Sequence, residues 1–181
     1  MDLGFLLDVS LKNLRHDQFQ NILNSVKSIY SSFEIGEDKT RVGVVTYSTL
    51  PRIAVSLDQY TTRQSLDTAI DRIVVSPGQS ALGKGLSAVQ NELFKGRTRS
   101  ETPKVLVVVT AGTSIDDLVK PSAELKRLSI TIFCVGVEAN VNRNQLNIVA
   151  SSPVKDHVMV GSVSYRETAG ENLASRIKKG T

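Results

Sequence analysis

Val105-Leu106-Val107-Val108-Val109 is an unbroken aliphatic run with no polar residue on either alternate position. A strand with one face in water would alternate, so this run reads as a strand buried on both faces. Such a strand cannot stand alone; it needs layers above and below it. Ile130 to Val137 reads the same way. Leu3 to Leu7 is a third near-continuous apolar run, and it ends at Asp8. Arg41 to Tyr47 is a Val-rich fourth. Arg52 to Leu57 follows after only Ser48-Thr49-Leu50-Pro51. A link this short joins neighbours that run antiparallel. Val158 to Val160 is a short last strand.

Helical patterns separate these runs. His16 to Phe33 places Phe19, Ile22, Leu23, Val26, Ile29, Tyr30 and Phe33 on one stripe, the period of an amphipathic helix. Thr61 to Ile73 repeats it, with Thr61 or Thr62 as its cap. Ser76-Pro77-Gly78-Gln79-Ser80 is a loop, and Leu82 to Phe94 a further helix. Gly96 to Thr102 reads as a polar, basic surface turn. Asp116 and Asp117 are expected to open the next helix, where acids face the positive end of its dipole. Pro121 fits only within that first turn. Asn142 to Val149 and Tyr165 to Ile177 complete the set. The expected fold is α/β and doubly wound, Rossmann-like. It has a mostly parallel sheet, one antiparallel edge strand and helices on both faces. No linker or internal repeat divides the chain, and 181 residues suit one domain, 1–181.

Composition excludes several function classes. No apolar run reaches the roughly 18 residues that cross a bilayer. Net charge is +4, but the 22 basic residues are interspersed with 18 acidic ones. The densest basic group, Arg176, Lys178 and Lys179, reads as a solvated tail. With five Phe, four Tyr and no Trp, a base-stacking surface for nucleic acid is not expected. The single cysteine, Cys134, rules out an intrachain disulfide and sits in an apolar run, as a small buried hydrophobe does. His16 and His157 lie in polar contexts. Met1 reads as an added start and no basic leader precedes the first strand, so an excised domain is expected.

In open sheets of this kind a ligand sits at the carboxyl ends of the central strands. Those ends carry Asp8 with Ser10, Thr110 with Ala111, and the loop around Ser80. The segments Phe5-Leu6-Leu7-Asp8-Val9-Ser10, Val42 to Ser48, Gly78 to Leu86 and Val105 to Gly112 resemble the von Willebrand factor type A domain in order and spacing. Asp116-Asp117 and Phe133-Cys134-Val135-Gly136-Val137 extend the resemblance over essentially the whole chain. It implies a metal-ion-dependent adhesion site, or MIDAS. That site is assembled from an Asp-x-Ser-x-Ser loop, a Thr in a second loop and an Asp in a third. A hard cation there takes oxygen ligands and keeps a position open for an acidic partner.

Against that pattern the chain departs at two places. Asp8 and Ser10 match, but Lys12 replaces the second Ser. Ser80 takes the place of the Thr, and Ala111 takes the place of the third-loop Asp. At about 6 Å and an effective dielectric of about 20, a divalent ion and an ammonium repel by about 5–6 kcal/mol. No metal or other cofactor is therefore expected, weak Mg²⁺ binding aside. Lys12 either stands in for the metal's charge beside Asp8 or points into water. Asp8 then serves as a hydrogen-bond acceptor at a strand end, with Ser10 and Ser80 as its company.

Gly78-Gln79-Ser80-Ala81-Leu82-Gly83-Lys84-Gly85 comes close to a phosphate loop, but Gly85 stands where the Mg²⁺-binding hydroxyl belongs. No paired carboxylates or Ser-His-Asp set suggests catalysis, and Gly112-Thr113-Ser114 is a turn, not a nucleophile elbow. The resemblance implies a secreted, non-enzymatic module of the extracellular matrix. Its partners would be other A domains of the same assembly, collagens or other matrix proteins, without nucleic acid or membrane insertion. The alternative is an adhesion domain that binds an acidic residue through Mg²⁺.

Overall fold

The computed structural model describes residues 1–10, 16–137, 141–161 and 167–180, with the side chains of 16–18 and 167–169 outside that description. In chain order the described elements are β1 (Asp2–Asp8), α1 (His16–Ser31), β2 (Arg41–Tyr47), β3 (Pro51–Val55), α2 (Arg63–Asp71) and α3 (Leu82–Ala88). They continue with β4 (Lys104–Thr110), α4 (Val119–Arg127), β5 (Ile130–Gly136), α5 (Arg143–Val149), α6 (Val154–His157), β6 (Val158–Val160) and α7 (Glu167–Gly180). The strands form one sheet in the order β3-β2-β1-β4-β5-β6. Every neighbouring pair is parallel except β2 and β3, which are antiparallel. This is the expected α/β sheet with its single antiparallel edge.

Strand alternation sorts the core into two layers. Leu3, Phe5, Leu7, Val105, Val107 and Val109 pack on one face, under α1, α2 and α7. Leu6, Leu106, Val108, Ile132 and Cys134 pack on the other, under α3, α4 and α5. Each fully buried aliphatic side chain contributes about 1.5–3 kcal/mol, which is why both faces of the central strands must be covered. Cys134 is fully buried, and burial pushes its thiol far above the ordinary range.

Several expected elements shift. The helix read over Leu82 to Phe94 is α-helical only to Ala88; Val89–Phe94 continues as a π-helix. The wider turn sets Val89, Leu93 and Phe94 on the core side together. Gly4 and Gly43 accommodate them: a Cβ at Gly43 would lie 2.5 Å from Leu93 Cδ1. Thr62 does cap α2, accepting a hydrogen bond from Ser65 N at 3.3 Å. Asp116 and Asp117 do not both open α4. Asp117 accepts from Val119 N at 3.0 Å at the start of that helix, while Asp116 turns to α3. Of the last helix, residues 165 and 166 lie outside the described residues, and α7 runs on to Gly180. The basic group at its end is not simply solvated. Arg176 donates to Asp156 O at 3.0 Å, and Lys178 Nζ stands 5.2 Å from the Phe33 ring centre. His157 also has an apolar side, its ring 4.6 Å from that of Phe133.

The Gly96 to Thr102 segment is more than a surface turn. It folds back over the amino end of β1, where Asp2 is wholly buried. Arg41 grips both Asp2 carboxylate oxygens at 3.0 Å. Arg99 adds its main-chain N at 3.0 Å and Nη2 at 2.9 Å. The same Arg99 guanidinium donates to the carbonyls of Met1, Glu37 and Lys39, and so ties three segments together. Burial alone would raise the Asp2 carboxyl. The Arg41 and Arg99 hydrogen bonds outweigh it and hold the group below the usual carboxylate range.

A carboxyl lowered in the folded state stabilises above its unfolded pKa, and loses that contribution as pH falls through its folded value. Asp2→Asn leaves two guanidiniums facing a neutral amide, and is expected to cost about 3 kcal/mol at pH 7. Urea unfolding measured across pH checks this: the gap between the two proteins should close on acidification.

Candidate functional site

Strand order reverses at β1, whose neighbours β2 and β4 lead away on opposite sides. In open sheets of this kind the crevice belongs at the carboxyl ends of the strands on either side of such a reversal. Asp8, the last residue of β1, is 2% exposed there. Its Oδ1 accepts from Ser10 N at 3.0 Å and from the Ser10 hydroxyl. Its Oδ2 accepts from Ser80 Oγ and Thr110 Oγ1, each at 2.9 Å. A carboxylate offers about four acceptor positions, and donors from three loops take all of them. Ser10, Ser80 and Thr110 are themselves buried.

The expected company of Asp8, Ser10 and Ser80, is thus brought together. Thr110 was visible at its strand end, but nothing in the local pattern marked it as a fourth donor. Ala111 turns its methyl to the core layer under α1 and α7, and it adds no donor or acceptor to the crevice. Lys12 lies outside the described residues.

Tyr47, at the end of β2, was not anticipated. Its hydroxyl is buried next to Asp8, Ser80 and Thr110, yet none of them completes a hydrogen bond with it in good geometry. Burial first, and the Asp8 charge second, push the phenol well above the ordinary tyrosine range. Its ring packs with Leu6 against the Gly85 position, where a Cβ would stand 3.0 Å from Leu6 Cδ1 and 3.2 Å from Tyr47 Cγ.

A second polar network braces the crevice from behind. Asp116 accepts from Gly83 N and Lys84 N, each at 2.9 Å, and from Ser114 Oγ at 2.6 Å. Ser114 Oγ in turn accepts from Leu82 N at 2.9 Å. The Gln145 amide clamps the Ser114 main chain, accepting from its N at 2.8 Å and donating to its O at 2.9 Å. This explains the near phosphate loop. The main-chain N–H groups at the start of α3 already hold the chain's own Asp116 carboxylate. Gly83 is required because a Cβ there would lie 2.0 Å from Asp117 O. The glycines serve close packing. Among the described residues no three His, Cys, Asp or Glu side chains gather in a metal-binding cluster. No helix among them is long and apolar enough to cross a membrane.

Comparison with known proteins points one way. The family model for the von Willebrand factor type A domain matches residues 2–169. Human matrilin-3 is 31% identical over 99% of this chain, which corresponds to 37% of matrilin-3. Mouse vitrin is 28% identical over 86% of the chain, 24% of its own length. The mouse collagen alpha-1(XX) chain is 34% identical over 84%, 12% of its own length. The chain therefore spans well under half of these relatives. Among solved structures, proximal thread matrix protein 1 from the mussel byssus superposes with a TM-score of 0.89 at 24% identity, over 97% of this chain and 45% of that one. A structure of the same protein with a zinc-occupied MIDAS motif gives 0.89 at 26% identity, over 98% of this chain and 45% of that one.

Two substitutions probe the crevice. Asp8→Ala strands the Ser10, Ser80 and Thr110 donors in a buried space, and is expected to destabilise by about 3 kcal/mol. Tyr47→Phe removes a hydroxyl without a partner, and should be neutral or stabilise by up to about 1 kcal/mol. Chemical denaturation of both variants, run without divalent ions, checks each figure.

Proposed function

The chain belongs to the von Willebrand factor type A domain family, and from that premise we propose that it is a secreted, non-enzymatic matrix-assembly module whose MIDAS is degenerate and metal-free. Its partners are other A domains of the same assembly, collagens or other matrix proteins. The likeness to matrilin-3, vitrin and collagen alpha-1(XX) supports a protein-interaction module of the matrix type. The finer form of the proposal is a collagen VI-like assembly role, of the kind the amino-terminal A domains of the collagen VI alpha-3 chain would fill.

The observation that carries the metal-free reading is the saturation of Asp8. Its oxygens already accept from Ser10, Ser80 and Thr110. A cation would have to displace those donors, and Ala111 offers no second carboxylate to hold it. A hard divalent ion needs around six oxygen ligands with enough negative charge among them. One carboxylate and three hydroxyls from the chain, those of Ser10, Ser80 and Thr110, are a poor fit. Binding to partners then runs through surfaces other than a metal-bridged carboxylate. The competing reading, Mg²⁺-dependent adhesion to an acidic residue, draws on the retained Asp8, Ser10 and Ser80 and on the zinc-occupied motif of the mussel protein.

The two readings separate in one experiment. The chain should bind immobilised purified collagens or matrix chains equally in Mg²⁺ and in EDTA, and its melting temperature should not move between them. Micromolar Mg²⁺ or Mn²⁺ binding by calorimetry overturns the metal-free proposal. Restoring the family residues with Lys12→Ser and Ala111→Asp should create Mg²⁺-dependent stabilisation, about 2.7 kcal/mol at a hundredfold excess over Kd.

A further inference from the structure

A groove of about 790 Å³ runs between β3 and the carboxyl end of α2, beside the crevice. Leu50, Val74 and Val75 stand along it 70%, 74% and 39% exposed. A lone exposed aliphatic residue is ordinary; three against one groove are not. Ile53, Ala54, Tyr60 and Ala69 line its inner wall, each half-buried. The charged residues of its lining are Arg52 and Arg72, both exposed. Among the described residues neither meets a carboxylate. The acids of α2 are engaged elsewhere: Asp71 pairs with Lys27 at 2.6 Å, and Asp67 accepts from Tyr30 and faces Arg63. Among the described residues β3 has a strand neighbour on one side only, so its other edge offers main-chain groups for pairing.

These features select one kind of occupant. We propose that the groove docks an extended acidic segment of a partner protein, whose carboxylates meet Arg52 and Arg72 and whose apolar side chains cover Leu50, Val74 and Val75. The inference rests on the reading of the chain as an interaction module, and it names the face and the chemistry. Guanidinium and carboxylate pair through two parallel hydrogen bonds, which gives direction as well as charge. A strand laid on a free edge supplies main-chain bonds while alternate side chains fill the groove. A basic segment is rejected by the same two arginines. A sulfated or phosphated polymer fits less well. Its binding grows with the number of cations it meets, and this groove offers two beside an apolar rim.

The test uses a short fluorescein-labelled peptide alternating Asp and Val, a matched peptide alternating Lys and Val, and the full chain. The acidic peptide should bind saturably and perturb amide resonances at 52–54 and 72–76; the Lys peptide should not bind. R52E/R72E should weaken the acidic peptide by about tenfold or more, and Val74→Asp should weaken it with both arginines intact. Unchanged binding in R52E/R72E, perturbations confined to the loops around Asp8, or displacement of the peptide by a heparin oligosaccharide overturns the proposal. If R52E/R72E binds immobilised collagens and matrix chains as the unmodified chain does, the groove fails and the module reading stands. If the unmodified chain binds none of them, the module reading fails whatever the peptide does.

Discussion

A carboxylate withdrawn from water must find its hydrogen bonds inside the protein, and β1 carries one at each end. Asp2 and Asp8 are six residues apart on the central strand, both buried. Breaking the bonds of such a group costs several kcal/mol, so each acts as a fixed point for the chain around it. At the amino end Asp2 draws in Arg41 from β2 and Arg99 from the segment before β4. At the carboxyl end Asp8 draws in the loops that carry Ser10, Ser80 and Thr110. The strands between are held by apolar burial, which has no direction. The two carboxylates supply the direction and determine which loops meet.

At the carboxyl end of β1, the Asp8 carboxylate accepts from Ser10, Ser80 and Thr110. In the family pattern the equivalent residues share a divalent ion. In this chain Ala111 packs its methyl against the core beneath α1 and α7, and Thr110, one residue earlier, turns its hydroxyl to Asp8. The Ser114, Asp116 and Gln145 network holds the second and third loops together from behind. The proposed docking groove lies to one side, along β3 and α2, where apolar residues stand beside two arginines that meet no carboxylate among the described residues.

Much of the fold was legible in the chain itself. The aliphatic runs at Leu3–Leu7 and Val105–Val109 and the stripe from Phe19 to Tyr30 state their layers directly, because period and burial are local properties. The short link before β3 correctly implied the antiparallel edge. Asp8, Ser10 and Ser80 were legible as strand-end residues, and their grouping came from the family resemblance. Less was visible at the contacts that join distant segments. Asp2 and Arg99 are 97 positions apart, and an isolated Asp before an apolar run looks like an ordinary surface residue. Asp116 read as the opening of its own helix, because a carboxylate that caps a different helix leaves no local trace. The π-helical stretch at Val89–Phe94 was hidden for a related reason. Its widening answers the space over Gly4 and Gly43, which belong to other strands.

What the sequence determined by itself is the α/β architecture and the two-sided sheet. These follow from residue type and period, and no partner is needed to read them. Tertiary structure alone decided that Thr110 completes the shell of Asp8, that Tyr47 buries its hydroxyl beside it without a partner, and that Arg52 and Arg72 come to flank one apolar groove. Each of these depends on where separate strands and loops meet. A hydrogen bond or a charge pair acts over a few ångströms, and only the folded chain brings such distant residues within that range.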